Sequence, residues 1–186
     1  MELIEEISGL TQLSKEAETF LVNSVQKIRF KKGDEILGIG ENCNHLYFIN
    51  KGIIRGYYFL ETKEITNWFA QEKEFATCFY SFIAKKLSVE SIGALEDCEL
   101  IRIPYSALQE LYARFPETER VGRIIMETYY LKLEERLLNI QFKSAKERYQ
   151  NLMEFKPSII RRAAMGQIAS YLGITQETLS RIRAEI

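Results

Sequence analysis

Apolar positions in the first 25 residues recur at helical spacing, with Phe20, Leu21 and Val25 on one side. Ser14, followed by Glu16 and Glu18, has the form of a capped helix start with acidic residues in its first turn. The pattern predicts a short packing helix ending near Val25. From Lys27 the period changes. Ile28 and Phe30 and the runs 46–49 and 53–60 are short, β-branched and aromatic, and Gly33-Asp34, Gly38, Gly40 and Gly52 separate them. Half of the ten glycines fall between positions 33 and 56, which predicts many short strands joined by tight turns. The expected unit is an all-β sandwich or barrel that extends through Thr66, Trp68 and 100–103. Pro104 closes it, and 105–115 reads as a short helix stopped by Pro116.

From Glu117 to about Phe142 there is no proline and a single Gly122, and Val121, Ile124, Ile125, Thr128, Leu131, Leu138 and Phe142 recur at threes and fours. This predicts one helix of about 26 residues, about 39 Å long. A second set, Tyr129, Tyr130, Leu133, Leu137 and Ile140, faces elsewhere. A helix apolar on more than one side must bury more than one side, here against its own β unit and against a second copy of itself. The alternative is a core helix of a monomer, but the helix is longer than so small a body easily covers. Val121, Ile124, Ile125, Thr128, Leu131 and Leu138 are therefore the candidate dimerisation residues.

The stretch from Met165 to the last residue, Ile186, carries the most specific pattern. Two short helices that cross at a tight turn need a small residue in the first, a residue tolerant of positive φ in the turn, and apolar residues beneath both. Ala169 meets the first need and Gly173 the second; Ile168, Leu172, Ile174, Leu179 and Ile182 meet the third. At 100° per residue, Gln176, Glu177, Ser180, Arg181 and Ala184 share one polar arc, opposite Leu179 and Ile182. Arg can bond guanine O6 and N7, Gln can pair with adenine, and Glu can accept from the cytosine amino group, so Gln176, Glu177, Ser180 and Arg181 are candidate base readers. Lys143, Lys146, Arg148, Lys156, Arg161, Arg162 and Arg183, with Thr175 and Thr178, are candidate phosphate contacts. An ordinary αα-hairpin with a polar exterior is the bland alternative.

Charge supports the DNA reading. The net charge of −1 hides an asymmetry: residues 1–142 hold 17 basic and 22 acidic side chains, whereas 143–186 hold 8 and 4. A basic tail on an acidic body suits a polyanionic partner. Hydrophobic residues make up 46% of the 186 and charged ones 27%, which fits a globular chain and excludes wholesale disorder. Ala163 to Gln176, the longest stretch free of Asp, Glu, Lys and Arg, is too short and too polar for a membrane span. The acidic start, Met1 to Glu6, lacks the positive charge of a secretory signal, so a cytoplasmic location is expected. Cys43, Cys78 and Cys98, spaced by 35 and 20 residues, fit neither zinc pairs nor a disulfide framework, and read as free, mostly buried thiols. His45 is the only histidine, which leaves little for an enzyme or a multi-histidine metal site.

Taken together, Lys32-Gly33-Asp34, the run 46–55 and the run 93–100 resemble the turns and strands of the cyclic-nucleotide-binding β-roll of the Crp/Fnr family of bacterial transcription regulators. Ile168-Ala169, Leu172-Gly173-Ile174 and the run 175–181 are similar to the family's recognition-helix motif. The resemblance covers nearly the whole chain. It implies an α+β chain with an N-terminal double-stranded β-roll sensor (1–115), a long dimerisation helix (116–142) and a C-terminal winged helix-turn-helix (143–186). It further implies a homodimer that binds double-stranded DNA at a two-fold symmetric operator, and that engages RNA polymerase if it activates. Because many relatives continue into a hairpin wing while this sequence stops at Ile186, a shorter winged unit with fewer phosphate contacts is implied.

Relatives that bind cyclic AMP carry Gly-Glu-Leu and then Arg-Ser-Ala or Arg-Thr-Ala segments, which clamp the cyclic phosphate. The corresponding residues here are Lys73-Glu74-Phe75 and Val89-Glu90-Ser91, and only Glu74 is retained. Loss of the Arg removes a charge-assisted bond to an anion, and Glu90 adds repulsion. Glu74, Phe75, Ala76, Val89, Glu90 and Ser91 are thus the candidate lining of a pocket for a small effector other than cyclic AMP, if the chain uses one. The family's iron-sulfur and haem ligands have no counterpart in Cys43 or His45, so no cofactor or metal is expected. A rival reading is a small-molecule-binding β-roll whose helical tail engages protein partners.

Overall fold

The structure, a computed structural model, describes residues 2–186; of the acidic start, Met1 lies outside the described residues. Two helices, α1 (Glu2–Leu10) and α2 (Lys15–Ser24), occupy the segment expected to hold one. The break follows from Ser14, whose hydroxyl accepts the Ala17 amide and so starts a new helix after the polar Thr11 and Gln12. The same hydroxyl donates to Glu117 Oε1 at 2.7 Å, tying this corner to the start of the long helix.

Eight short strands follow: β1 (Gln26–Phe30), β2 (Glu35–Leu37), β3 (His45–Lys51), β4 (Ile54–Leu60), β5 (Lys63–Ala70), β6 (Phe75–Ala76), β7 (Ser91–Ala94) and β8 (Cys98–Pro104). They form two four-stranded antiparallel sheets, β1-β8-β3-β6 and β2-β7-β4-β5, and Phe48, Ile54, Ile92, Leu100 and Ile101 are buried in the core cluster packed on them. One element inside the roll was not predicted: α3 (Phe79–Ala84). Its aromatic run reads locally like a strand, but Phe82 is buried edge-on against Tyr105 and Lys85 ends the helix in a left-handed conformation. Tertiary packing overrides local propensity there.

Gly56 is needed for sheet packing. It pairs with Trp68 across β4 and β5, and a Cβ at this position would lie 2.1 Å from the indole. α4 (Tyr105–Arg114) then leads into α5 (Pro116–Phe142), with proline in the first turn where its missing N–H costs nothing. The C-terminal helices are α6 (Ala145–Phe155), α7 (Pro157–Arg162), α8 (Met165–Leu172) and α9 (Gln176–Ala184). Ser144 and Glu147 form a reciprocal capping box that restarts the chain as α6 after α5. Among the described residues, no helix is long and apolar enough to cross a membrane.

The C-terminal helices do not close their own core. Tyr149, Leu152, Ile159, Ile168, Ala169, Leu172, Leu179 and Ile182 pack in one cluster with Ile53 and Phe69 of the roll. Each of those two roll residues is buried and contributes about 1.5–3 kcal/mol by leaving water. A polar rim completes the contact. Arg162 donates to both oxygens of Glu72 at 2.9 and 2.6 Å and also to Glu96, Ser158 bonds Gln71, and Ser170 Oγ accepts the Thr66 amide at 2.8 Å.

The Arg162 guanidinium pulls the Glu72 carboxyl from its ordinary 4.5 down to about 2. A carboxylate whose folded pKa is depressed contributes stability above its unfolded pKa and loses it as pH falls through the folded value. The clamp should therefore weaken between about pH 4.5 and 2. Thermal unfolding followed by circular dichroism is expected to show Glu72→Gln melting below wild type at pH 7, with the gap closing towards pH 2. A gap independent of pH would reject the ion pair as its cause.

Candidate nucleic-acid interface and sensor pocket

α8 stops because Gly173 adopts φ +67°, which lets its amide and that of Ile174 turn back onto the carbonyls of Ser170 and Ala169, each at 3.0 Å. The chain re-enters a helix at once, since the Thr175 hydroxyl accepts the Thr178 amide at 3.2 Å. α8 and α9 cross closely at Gly166, where a Cβ would meet the Gln176 amide nitrogen at 2.8 Å. Ala169 is buried at the crossing, and Leu179 and Ile182 anchor α9 from below. Gln176, Glu177, Ser180 and Arg181 are left exposed on one outward face. Hydrogen bonds from its own backbone amide and from Thr175 hold the Glu177 carboxyl below the usual range, so it faces outward as an anion.

The candidate phosphate contacts divide into three groups. Lys143, Arg161 and Arg183 are exposed, and Lys146 is loosely held by Glu185 at 3.1 Å on the surface. Thr175 and Thr178 are engaged with each other at the α9 cap, and Arg148 donates to the Lys143 carbonyl. Arg162 and Lys156 depart from expectation: Arg162 is clamped by Glu72 and Glu96, and Lys156 by Glu74, so both serve the roll contact instead of an external anion.

Along α5 the candidate dimerisation residues also separate. Val121 is buried in the protomer's own core, so it is not available to a partner, and Ile125 is half-buried against that core. Ile124 is half-buried, whereas Thr128, Leu131 and Leu138 are exposed. Four members of the second set, Tyr130, Leu133, Leu137 and Ile140, together with Met126, which the sequence reading did not include, are 40–62% exposed and recur at intervals of four and three. That spacing is the a/d seam of a two-stranded coiled coil. Tyr129 is not part of it, because its ring lies 4.0 Å from that of Phe79.

In the roll, Glu74 reaches the side facing α5, where Lys132 and Lys156 meet it at 2.8 and 3.2 Å. Burial alone would raise its pKa, but the two lysines together hold it below the ordinary value. Phe75 packs on Phe48 at 5.1 Å and Ala76 is buried. Val89 is exposed, and Ser91 accepts the Ile39 amide at 3.2 Å. The Glu90 carboxylate accepts from the Trp68 indole N–H and the Asn67 amide, at 3.2 and 3.1 Å. Two spaces adjoin these residues. One, of about 340 Å³, lies between Glu74-Phe75, Phe79 and Ile124-Tyr129 of α5; the other, of about 870 Å³, opens towards the C-terminal helices. Cys43, Cys78 and Cys98 are buried thiols outside any disulfide, and no cluster of three or more metal-ligating side chains occurs among the described residues.

Comparison with known proteins is consistent over most of the chain. The family model for the cyclic nucleotide-binding domain matches residues 27–115. The chain is 26% identical to the fumarate and nitrate reduction regulatory protein of Vibrio cholerae over 84% of its own length and 67% of that protein's. FixK2 from Bradyrhizobium japonicum superposes with a TM-score of 0.72 at 20% identity, over 87% of this chain and 83% of that one. A regulator of the crp/fnr family from Eubacterium rectale gives 0.71 at 21% identity, over 91% and 82%. Residues 27–115 form a cyclic nucleotide-binding domain, and the chain as a whole is similar to transcription regulators of the Crp/Fnr family.

Where cyclic-AMP-binding relatives place an Arg, the corresponding residue is Val89, and the neighbouring Glu90 carboxylate accepts hydrogen bonds from Trp68 and Asn67. The neighbouring turn keeps its shape without the family's glycine: Lys73 adopts φ +68°, with its amide on the Ile49 carbonyl at 2.8 Å. A left-handed conformation costs a side-chain-bearing residue about 1–2 kcal/mol. Glycine would relieve that strain and lose about 0.5–1 kcal/mol through a freer unfolded chain. Lys73→Gly is expected to raise stability by up to about 1 kcal/mol, read as a higher urea midpoint at unchanged slope. A lower midpoint would show that the turn is held by the lysine side chain.

Proposed function

We propose that this Crp/Fnr regulator binds DNA as a homodimer at a palindromic operator, in the cytoplasm, with no catalytic activity, and responds to a ligand other than cyclic AMP or to none. The observation that carries this reading is the outward face of α9. Four side chains able to read base edges are presented together on a short helix whose other side is fixed in a core. Lys143, Arg161 and Arg183 supply exposed positive charge for flanking phosphates, and contribute affinity that carries no sequence information. If the polymerase is a partner, it is one of the bound dimer, reached from outside the DNA contact.

The exposed seam of α5 makes the two-fold arrangement physically reasonable. Pairing of two such helices along Met126, Tyr130, Leu133, Leu137 and Ile140 covers the apolar side chains that one protomer leaves in water. Two recognition helices on a two-fold dimer fit half-sites about 34 Å apart, one turn of DNA. A ligand would act by shifting the population between arrangements that match this spacing and arrangements that do not.

Selection of purified protein on a randomised duplex pool is expected to enrich an inverted repeat of fixed spacing. On that repeat Arg181→Ala should lose about 1–3 kcal/mol in a fluorescence-anisotropy titration, with little change on scrambled duplex. An equal loss on both duplexes would remove Arg181 from base reading. Leu133→Glu together with Leu137→Glu is expected to shift sedimentation from dimer to monomer. A variant that remains dimeric would place the interface elsewhere.

A further inference from the structure

Three thiols lie inside the roll, and two of them share a corner. Cys43, in the loop between β2 and β3, and Cys78, the residue that precedes α3, are hydrogen-bonded to each other through their side chains. Thr77 joins the pair from the side. Its hydroxyl has one proton and two acceptors within reach, Cys43 Sγ at 3.0 Å and the His45 carbonyl at 2.8 Å. Cys78 Sγ also reaches the Glu90 carbonyl, at 3.7 Å. Both cysteines are free thiols, and the reading of DNA uses neither.

The hydrogen bond makes the two sulfurs unlike. The Cys78 thiol donates to Cys43 and, with the Thr77 hydroxyl, holds it below the ordinary thiol pKa against the opposing effect of burial. Cys78, the donor, is held above the ordinary value by the same bond and by burial. The Lys85 ammonium at the end of α3 lies within electrostatic reach of Cys43. A thiol with a lowered pKa is the one that oxidants attack, and a second thiol beside it resolves the product. Cys98 provides the contrast. Its thiol donates to the Ile53 and Glu96 carbonyls at 3.4 and 3.2 Å, and burial pushes its pKa up to about 11. Cys43 is 3% exposed, but it lies directly under the surface, between exposed Asn42 and Asn44 in a loop that contains Gly38 and Gly40. A local opening of that loop is enough for a small oxidant.

We propose that Cys43 and Cys78 form a hydroperoxide-reactive dithiol, in which Cys43 attacks and Cys78 resolves, closing a disulfide between the β2–β3 loop and the start of α3. In the first step the Cys43 thiolate attacks one oxygen of hydrogen peroxide and the O–O bond breaks. Cys43 becomes a sulfenic acid, and the released hydroxide takes up a proton to give water. In the second step the Cys78 sulfur displaces the hydroxyl from Cys43, and that hydroxyl leaves with the Cys78 proton as a second water. Two thiols and one peroxide thus give one disulfide and two waters, with two electrons passed from sulfur to oxygen. Phe79, the next residue, stacks on Tyr129 of α5, so the bond would form where the roll meets the long helix. The oxidation does not rest on the reading given under Proposed function, and its test uses no DNA.

The reduced full chain, kept dilute to prevent links between chains, is treated with hydrogen peroxide, quenched in acid and alkylated in denaturant for peptide mass spectrometry. The expected product has one free thiol, at Cys98, and a linked Cys43–Cys78 pair two hydrogens lighter than the two reduced peptides. Dithiothreitol is expected to reverse it. Unfolding during the reaction would expose all three thiols alike, so Cys98 reports whether the native chain reacted. Cys78→Ser keeps a hydroxyl donor for Cys43 and removes the resolving sulfur. In this variant dimedone is expected to label Cys43 as its sulfenic acid and to leave Cys98 unlabelled. Retention of all three thiols under peroxide that oxidises free cysteine, a disulfide that includes Cys98, or dimedone on Cys98 in place of Cys43 would overturn the proposal.

Discussion

The contact between the C-terminal helices and the β-roll is the constraint on which the rest of the structure depends. Without Ile53 and Phe69 the helix-turn-helix would have an open-sided core, and without Arg162 between Glu72 and Glu96 the seam would lack its polar closure. The apolar part supplies most of the energy. The ion pairs contribute less, because they are partly exposed, but they fix the register: a guanidinium bonded to both oxygens of one carboxylate tolerates little rotation. The orientation of α9, and so of the four side chains on its outer face, is determined by roll residues from Ile53 to Glu96, far earlier in the chain.

This dependence also explains which parts of the molecule could be read from the sequence. Local chemistry was legible. Gly173 announces the turn between α8 and α9 because few other residues adopt φ +67° cheaply; the glycine-punctuated runs announce strands; Pro116 and the proline-free stretch after it announce α5. What could not be read is what depends on distant partners. Arg162 and Lys156 looked like phosphate contacts because basic residues near a helix-turn-helix usually are, and nothing nearby in the sequence reveals Glu72, Glu74 or Glu96. The division of α5 into inward and outward sides was misjudged for a related reason. Val121 and Met126 are both apolar and both on the helix, and only the position of the roll decides that the first is buried and the second exposed.

The helix α3 makes the same point in the opposite direction. Its sequence, Phe79 to Ala84, has β-like composition, yet its aromatic residues pack against two helices. Phe82 reaches Tyr105 at the start of α4, and Phe79 stacks on Tyr129 of α5. A strand would place successive side chains on opposite faces. With one helical turn between them, Phe79 and Phe82 can instead both reach helices that leave the roll. The pair links the side of the roll that adjoins Cys78 to the long helix, so a change inside the roll has a packed route to α5.

The charges inside the roll have been exchanged in a self-consistent way. The half-buried carboxylate of Glu90, beside the position where cyclic-AMP-binding relatives carry Arg, accepts from the indole N–H of Trp68 and the amide of Asn67. Trp68 can approach because Gly56 opposite has no Cβ to obstruct the ring. Glu74, the one retained residue, has been claimed from the other side by Lys132 and Lys156. Each substitution is thereby matched by a partner on a different element. A roll merely released from selection for a nucleotide would be expected to accumulate unpaired groups. Here, among the described residues, the only buried side-chain nitrogen or oxygen atoms without a hydrogen-bond partner are Asn50 Oδ1 and Arg148 Nε, and neither residue lines the two spaces beside Glu74. The satisfied network argues that the roll is organised around a different charge pattern, with Glu74 held by Lys132 and Lys156 and Glu90 by Trp68 and Asn67.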